Sequence, residues 1–306
     1  MTTAFIAHPE CRLHDMGRYH PECPERLDAV SDRLIASGID RHVVHYEAPA
    51  ATRDQLARVH DEDYIAMIEA ASPESGVHHL DPDTAMSPHS LEAALHASGA
   101  VVLATDLVLR GECRSAFCAV RPPGHHAERG RAMGFCLFNN VAVGVGHALA
   151  NGLTRAAVVD FDVHHGNGTE QIFCTDPRVI MTGTFEYPLY PYSGVEPMGP
   201  NMHNVPLRAG SGGEAFRAAM NDVCLPALDA HRPEIIFVSA GFDAHRDDPL
   251  ANLQFTESDY AWATRELVRI ADKHAAGRIV STLEGGYDLS ALGRSAVEHI
   301  RALAKL

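Results

Sequence analysis

Four short clusters in this chain combine side chains that bind metals or move protons. Arg121-Pro122-Pro123-Gly124-His125-His126 carries two adjacent imidazoles, and Asp160-Phe161-Asp162-Val163-His164-His165-Gly166-Asn167-Gly168 interleaves carboxylates with imidazoles. Ala240-Gly241-Phe242-Asp243 ends in a third carboxylate, and Leu283-Glu284-Gly285-Gly286-Tyr287 ends in a phenol. Asp162 and His164 are two positions apart, so in an extended segment their side chains share one side. Together with Asp243 they make the three N and O ligands that a catalytic zinc takes, with one position open for water. The His125-His126 pair is then suited to accept a proton from that water and return one to a leaving amine. Asp160 is a natural partner for one imidazole, fixing its tautomer and raising its basicity, and Asn167 orients the other without adding charge. A lone Asp-x-His or Gly-Gly-Tyr is common in loops and turns. Four such clusters in one chain argue for a single site.

Each cluster follows a short apolar run. Ala4–Ala7, Val43–Tyr46, Phe117–Val120, Ala156–Phe161, Val179–Thr182, Ile235–Ser239 and Arg278–Leu283 read as strands, and their continuous apolar character fits burial on both faces. Helical patterns lie between them, over Pro24–Ser37, Asp61–Ala71, Pro88–Arg110, Asn139–Asn151, Gly213–His231, Glu257–Ala276 and Leu289–Lys305. Ser87-Pro88 reads as a helix cap followed by proline at the first helical position. Thr256 with Asp259 three residues on reads as a capping box. The alternation predicts an α/β fold with a mostly parallel sheet covered by helices. In such sheets sites collect at the carboxyl ends of strands, which is where the four clusters fall. No linker, repeat or low-complexity tract divides residues 1–306, so one domain is expected. Long irregular segments are expected over Ser72–Ser87, Arg121–Phe138, Phe185–Gly212 and Gly241–Thr256, the places to look for chemistry.

Lys and Arg total 25 against 40 for Asp and Glu, a formal charge of -15. That balance argues against a general nucleic-acid binder, which needs clustered cations against phosphate. The seven cysteines, at positions 11, 23, 113, 118, 136, 174 and 224, include no C-x-x-C pair and suit a reducing compartment. No basic leader followed by an apolar stretch opens the chain, and no uninterrupted run of about 18 apolar residues occurs, so the expectation is a cytoplasmic protein that does not span a membrane.

The clusters, with Gly134-Phe135-Cys136, Ser239-Ala240-Gly241-Phe242-Asp243-Ala244-His245 and the opening His20-Pro21-Glu22-Cys23-Pro24-Glu25-Arg26-Leu27, resemble the successive signatures of the histone deacetylase/acetylpolyamine amidohydrolase family. Their order and spacing match from the opening segment to Tyr287. The resemblance implies an arginase/deacetylase-like three-layer fold and a Zn²⁺ held by Asp162, His164 and Asp243. It implies acid–base work by His125 and His126, backed by Asp160 and Asn167 respectively, with Asn167 pointing to the class II-like branch. Tyr287 would donate to the substrate carbonyl and then to the tetrahedral oxyanion. Phe135, beside Gly134, and Tyr190 match the aromatic walls of an acyl-lysine tunnel, Gly286 accompanies Tyr287, and Asp81 or Asp83 matches an acidic residue that grips the substrate backbone. Structural K⁺ or Na⁺ is also implied, one ion on backbone oxygens of Asp160, Asp162 and His164, a second at Phe173 and Val179. Gly183 stands where the family often has a serine ligand to the first ion.

Polyamine-selective relatives tend to carry a glutamate where this chain has Leu250, so the resemblance implies acetyl-lysine in peptides or proteins, with acetylpolyamines or other small acylamines as the alternative. Two further readings are a two-metal ureohydrolase, which would leave the histidine pair without a task, and a non-catalytic binding protein, which would be expected to have lost a ligand or the tyrosine. Fe²⁺ can replace Zn²⁺ at N/O sites of this kind. No coiled-coil heptad or interface stripe predicts an oligomer.

Overall fold

The apolar runs that precede the four clusters lie side by side in the middle of one sheet. The structure, a computed structural model, describes residues 2–306. Its strands are β1 (Thr3–Ala7), β2 (Val43–Glu47), β3 (His78–His79), β4 (Ala85–Met86), β5 (Ser115–Cys118), β6 (Ala156–Asp160), β7 (Val179–Glu186), β8 (Met202–Leu207), β9 (Ile235–Ala240) and β10 (Ile279–Leu283). Eight of them form a sheet in the order β2-β1-β5-β10-β9-β6-β7-β8, and every neighbouring pair is parallel. β5, β10, β9 and β6 are consecutive in that order, so the four clusters that follow them emerge along one edge. β5, β6, β9 and β10 are buried at every residue, as their uninterrupted apolar sequences require.

The helices are α1 (Glu25–Ala36), α2 (Arg53–Leu56), α3 (Glu62–Ala71), α4 (Ser90–Leu109), α5 (Asn140–Ala150), α6 (Asn167–Phe173), α7 (Gly213–Ala219), α8 (Leu225–His231), α9 (Glu257–His274) and α10 (Leu289–Leu303). α4 and α5 pack together over β1, β5, β6, β9 and β10, while α1, α9 and α10 form a second packed group on β5 and β9. These layers make the central sheet flanked by helices that the sequence predicts. α4, at 20 residues, is long and apolar enough to cross a membrane by length and composition alone. Its buried face on the sheet accounts for that composition, since a helix covering a sheet in a large core is apolar nearly all round.

Four local features depart from the sequence reading. β8 was expected as irregular chain; Met202-His203-Asn204-Val205-Pro206-Leu207 is a half-exposed edge strand, where proline is tolerated and no long apolar run develops. β3 and β4 pair as a short antiparallel ribbon inside the segment expected to be loop. α4 begins at Ser90, not at Pro88, because Ser87 and Ser90 close a turn first, the Ser87 amide donating to Ser90 Oγ at 2.7 Å. The expected helix over Gly213–His231 contains a π-helical turn at Met220–Cys224. Pro226 lacks the N–H that would close a regular turn there. The capping box of α9 forms as read, with the Thr256 amide donating to Asp259 Oδ2 at 2.9 Å.

Candidate active site

Asp160 is the last residue of β6, and the chain leaves the sheet there as Asp162-Val163-His164. Asp162, His164 and Asp243 place one ligand atom each within 4.8 Å of one another, the only such group among the described residues. His164 Nδ1 lies 3.0 Å from Asp162 Oδ1 and 3.2 Å from Asp243 Oδ2. The outward-facing oxygens are tied to backbone: Gly285 N–H donates to Asp162 Oδ2 at 2.8 Å and Val163 N–H to Asp243 Oδ1 at 2.9 Å. Asp243 Oδ2 is buried and accepts no hydrogen bond. An orphaned buried carboxylate oxygen is costly, and a cation at the centre of the three atoms relieves it. The donor set, two carboxylates and one imidazole, fits a divalent metal of the zinc type.

His125 and His126 follow β5. His125 Nδ1 faces Asp160 Oδ2 at 2.9 Å, and His126 Nδ1 faces Asn167 Oδ1 at 2.8 Å, the pairing expected from sequence. Asn167 is the first residue of α6, and its Nδ2 donates to Glu128 Oε1 at 2.9 Å, which fixes the amide orientation. The two environments push the imidazoles apart. Burial disfavours charge at His125, but the carboxylates of Asp162 and Asp160 outweigh it and hold its pKa well above the ordinary value. Burial lowers His126, and the neighbouring His125 and His164 lower it further, to well below the ordinary value. Burial and the nearby Asp243 carboxylate hold the Tyr287 phenol protonated, as a donor.

A cavity of about 200 Å³ opens above these groups, lined by Asp83, His126, Gly134, Phe135, His164, Leu189, Tyr190, Leu250 and Tyr287. Phe135 meets Tyr287 edge-on at 6.0 Å between ring centres, and Tyr190 meets His126 edge-on at 5.3 Å. Gly134 has φ +58°, and a β-carbon there would lie 2.3 Å from His126 Cδ2, so only glycine lets the Phe135 turn reach this close. Asp83 accepts the Gly134 N–H at 3.0 Å and lines the cavity. Asp81 instead closes its own turn, accepting the amides of Asp83 and Thr84. Gly286 is not among the lining groups; its carbonyl accepts from Arg26 Nε at 2.7 Å.

Several positioning residues were not identified from sequence. Glu284 accepts the amides of Gly124 and His125, at 2.6 and 3.1 Å, and so clamps the histidine loop to β10. Arg26 lies 5.0 Å over the Tyr287 ring and bonds the carbonyls on either side of Gly285. Asp248 accepts the Tyr287 and Leu250 amides at 2.7 and 3.0 Å. Buried ionic residues in motif segments were the available signal. At the two expected ion positions, a β-carbon at Gly183 would lie 2.7 Å from the Asp160 carbonyl, which leaves no room for a serine hydroxyl, and the carbonyls of Phe173 and Val179 both face Asn201 Nδ2.

The description of a histone deacetylase domain matches residues 20–303. The chain belongs to the histone deacetylase family. A histone deacetylase-like amidohydrolase of Pseudomonas aeruginosa is 39% identical over 88% of this chain and 72% of its own. The mouse (Mus musculus) polyamine deacetylase HDAC10 is 35% identical over 96% of this chain and 45% of its own length. The solved structure of the HDA15 HD domain superposes with a TM-score of 0.94 at 32% identity, covering 99% of this chain and 90% of that one. The fold is therefore the deacetylase fold, and deacetylase-type amidohydrolase activity goes with the family.

Proposed function

We propose that this deacetylase-family chain hydrolyses N6-acetyl-lysine amides in peptides or proteins, using zinc held by Asp162, His164 and Asp243. The observation that carries the reading is the joint lining of one cavity by His126, His164 and Tyr287 together with the rings of Phe135 and Tyr190. Zinc, when bound, supplies Lewis-acid polarisation of the acyl carbonyl and acidifies the attacking water. Of the two imidazoles only His126 lines the cavity, and its lowered pKa keeps it neutral, so it takes the proton from water and returns it to the departing amine. His125, pinned on Asp160, stays behind it as the more basic imidazole and stabilises developing negative charge. The Tyr287 hydroxyl donates to the acyl oxygen as it becomes an oxyanion. Phe135 and Tyr190 hold the apolar stem, Leu250 forms the outer wall, and Asp83 accepts an amide N–H of the substrate backbone.

Small acylamines are the second reading, favoured by the polyamine deacetylase among the relatives. Apolar Leu250 supports the peptide instead, since it offers no charge to a distant ammonium. Comparing kcat/KM for acetyl-lysine peptides and N-acetylated polyamines with zinc-loaded enzyme separates them; a strong polyamine preference overturns the peptide assignment. Tyr287→Phe is expected to lower turnover by about 10²–10³-fold with bound zinc unchanged.

A further inference from the structure

Between α6 and β7 the chain turns so that three backbone carbonyls converge on one point. The carbonyl oxygens of Phe173, Asp176 and Val179 lie 2.9, 3.1 and 2.8 Å from a single atom, Asn201 Nδ2. Asn201 sits just before β8, the edge strand, and its own carbonyl accepts the Met181 amide, so the side chain crosses from β8 to the α6–β7 turn. Two of the three carbonyls also accept a turn N–H, Phe173 from Asp176 and Asp176 from Val179, and present their remaining lone pair to the cage.

An amide nitrogen carries two hydrogens, so three acceptors around it exceed what hydrogen bonding requires. Such a convergence of carbonyl dipoles is the environment of a weakly hydrated cation. Here the centre is filled by a side-chain atom in direct contact with every oxygen, and no ion fits beside it. The reversed amide would press Oδ1 against three carbonyl oxygens of like partial charge, so nitrogen is the atom inside. Oδ1 is turned toward Gly199, where a β-carbon would approach it to 2.9 Å and the Cys174 carbonyl to 2.1 Å. The glycine leaves room for this orientation.

The ion implied at Phe173 and Val179 therefore does not fit the residues present. We propose that the Asn201 side-chain amide is a built-in replacement for a monovalent cation in the Phe173–Asp176–Val179 cage, so that this chain ties the α6–β7 turn to β8 without an ion. Removing the amide leaves the inward-facing lone pairs of all three carbonyls without a partner and turns the cage into a cation site.

Crystals of the full chain soaked in Tl⁺, a strong anomalous scatterer that substitutes for K⁺, locate any bound ion directly. No anomalous peak is expected in the cage of the wild-type protein, and a peak there overturns the proposal. Asn201→Gly is expected to bind Tl⁺ in the cage and to melt about 2 °C or more higher in KCl than in choline chloride of equal ionic strength, beyond any such difference in wild type. A folded Asn201→Gly protein with no cage peak and no added K⁺ response also overturns it. If that variant does not fold, the wild-type Tl⁺ map decides alone.

Discussion

Two groups of buried charge stand at the same end of the sheet, and they differ in how completely their atoms are partnered. In the first, Glu22 lies between Arg121 and Arg26, all three fully buried; Arg121 Nη2 donates to Glu22 Oε2 at 2.6 Å, and Arg26 Nη1 to Glu22 Oε1 at 3.0 Å. Arg121 Nε also donates to Glu22 Oε1, other guanidinium N–H groups donate to the backbone carbonyls of Cys11, His14, Glu284 and Gly286, and no polar side-chain atom of the three residues lacks a partner. In the second, Asp162, His164 and Asp243 crowd together with one carboxylate oxygen unpaired, next to two imidazoles driven in opposite directions. Both groups are withdrawn from solvent, with His164 alone partly exposed. Saturation of partners marks the first as a brace for the Tyr287 loop, and its absence marks the second as a place where something binds and reacts.

The comparison breaks most sharply at His126. His126→Ala is expected to lower kcat by about 10²–10⁴-fold, because it removes the one member of the His125–His126 pair that lines the cavity, while the melting temperature and bound zinc stay near wild type. Steady-state kinetics beside a zinc assay check this, and retention of full turnover would sink the base assignment. The braced cluster is expected to respond in the opposite sense. Glu22→Gln leaves two guanidiniums buried without a counter-charge and is expected to cost about 3–5 kcal/mol of stability. Urea unfolding measures it, and a loss below about 1 kcal/mol would mean that the cluster is not a brace.

Acid sharpens the same contrast. Burial raises the Glu22 carboxyl, but Arg121 and then His14 and Arg26 outweigh it and bring its pKa down to about 2. A depressed carboxylate stabilises the fold fully above its unfolded value near 4.5 and loses that contribution as pH falls toward 2. About 3 kcal/mol is expected to disappear over that window. The component is isolated by comparing wild type with Glu22→Gln, whose stability lacks this part of the pH slope; parallel curves for the two proteins would refute it.

The legible part of the molecule was what repeats or clusters along the chain. Apolar runs such as Ala156–Phe161 and Ile235–Ser239 announced the central parallel strands, observed at Ala156–Asp160 and Ile235–Ala240, and the clusters at their ends announced the ligand triad and the histidine pair with its partners. Contacts between distant segments were not legible. Nothing local to Arg26 shows that its guanidinium reaches the carbonyls flanking Gly285, some 260 positions away along the chain. β8 carries no run because it is an edge strand, and α6 is only seven residues long, too short for a helical period to show. The choice between Asp81 and Asp83 was equally hidden. It depends on which carboxylate closes the turn and which is left to face the cavity, a matter of backbone conformation.

The smallest expected effect tests the partner of the base. Asn167 offers His126 a neutral oxygen where Asp160 offers His125 a charged one, and that asymmetry helps to keep the two imidazoles apart. Asn167→Asp places a negative charge on His126 Nδ1 and is expected to raise its pKa by about one unit or more. A base works only when unprotonated, so the acidic limb of the kcat/KM profile moves to higher pH, and activity at low pH falls while the alkaline side is preserved. The substitution also turns a carboxylate oxygen toward Glu128, which Asn167 Nδ2 contacts at 2.9 Å. Adding Glu128→Gln removes that repulsion and supplies a donor, so the double variant is expected to show the shifted limb with turnover restored near wild type. A limb that stays in place in both proteins would assign the titration to a group other than His126, and would leave the neutral partner as packing alone.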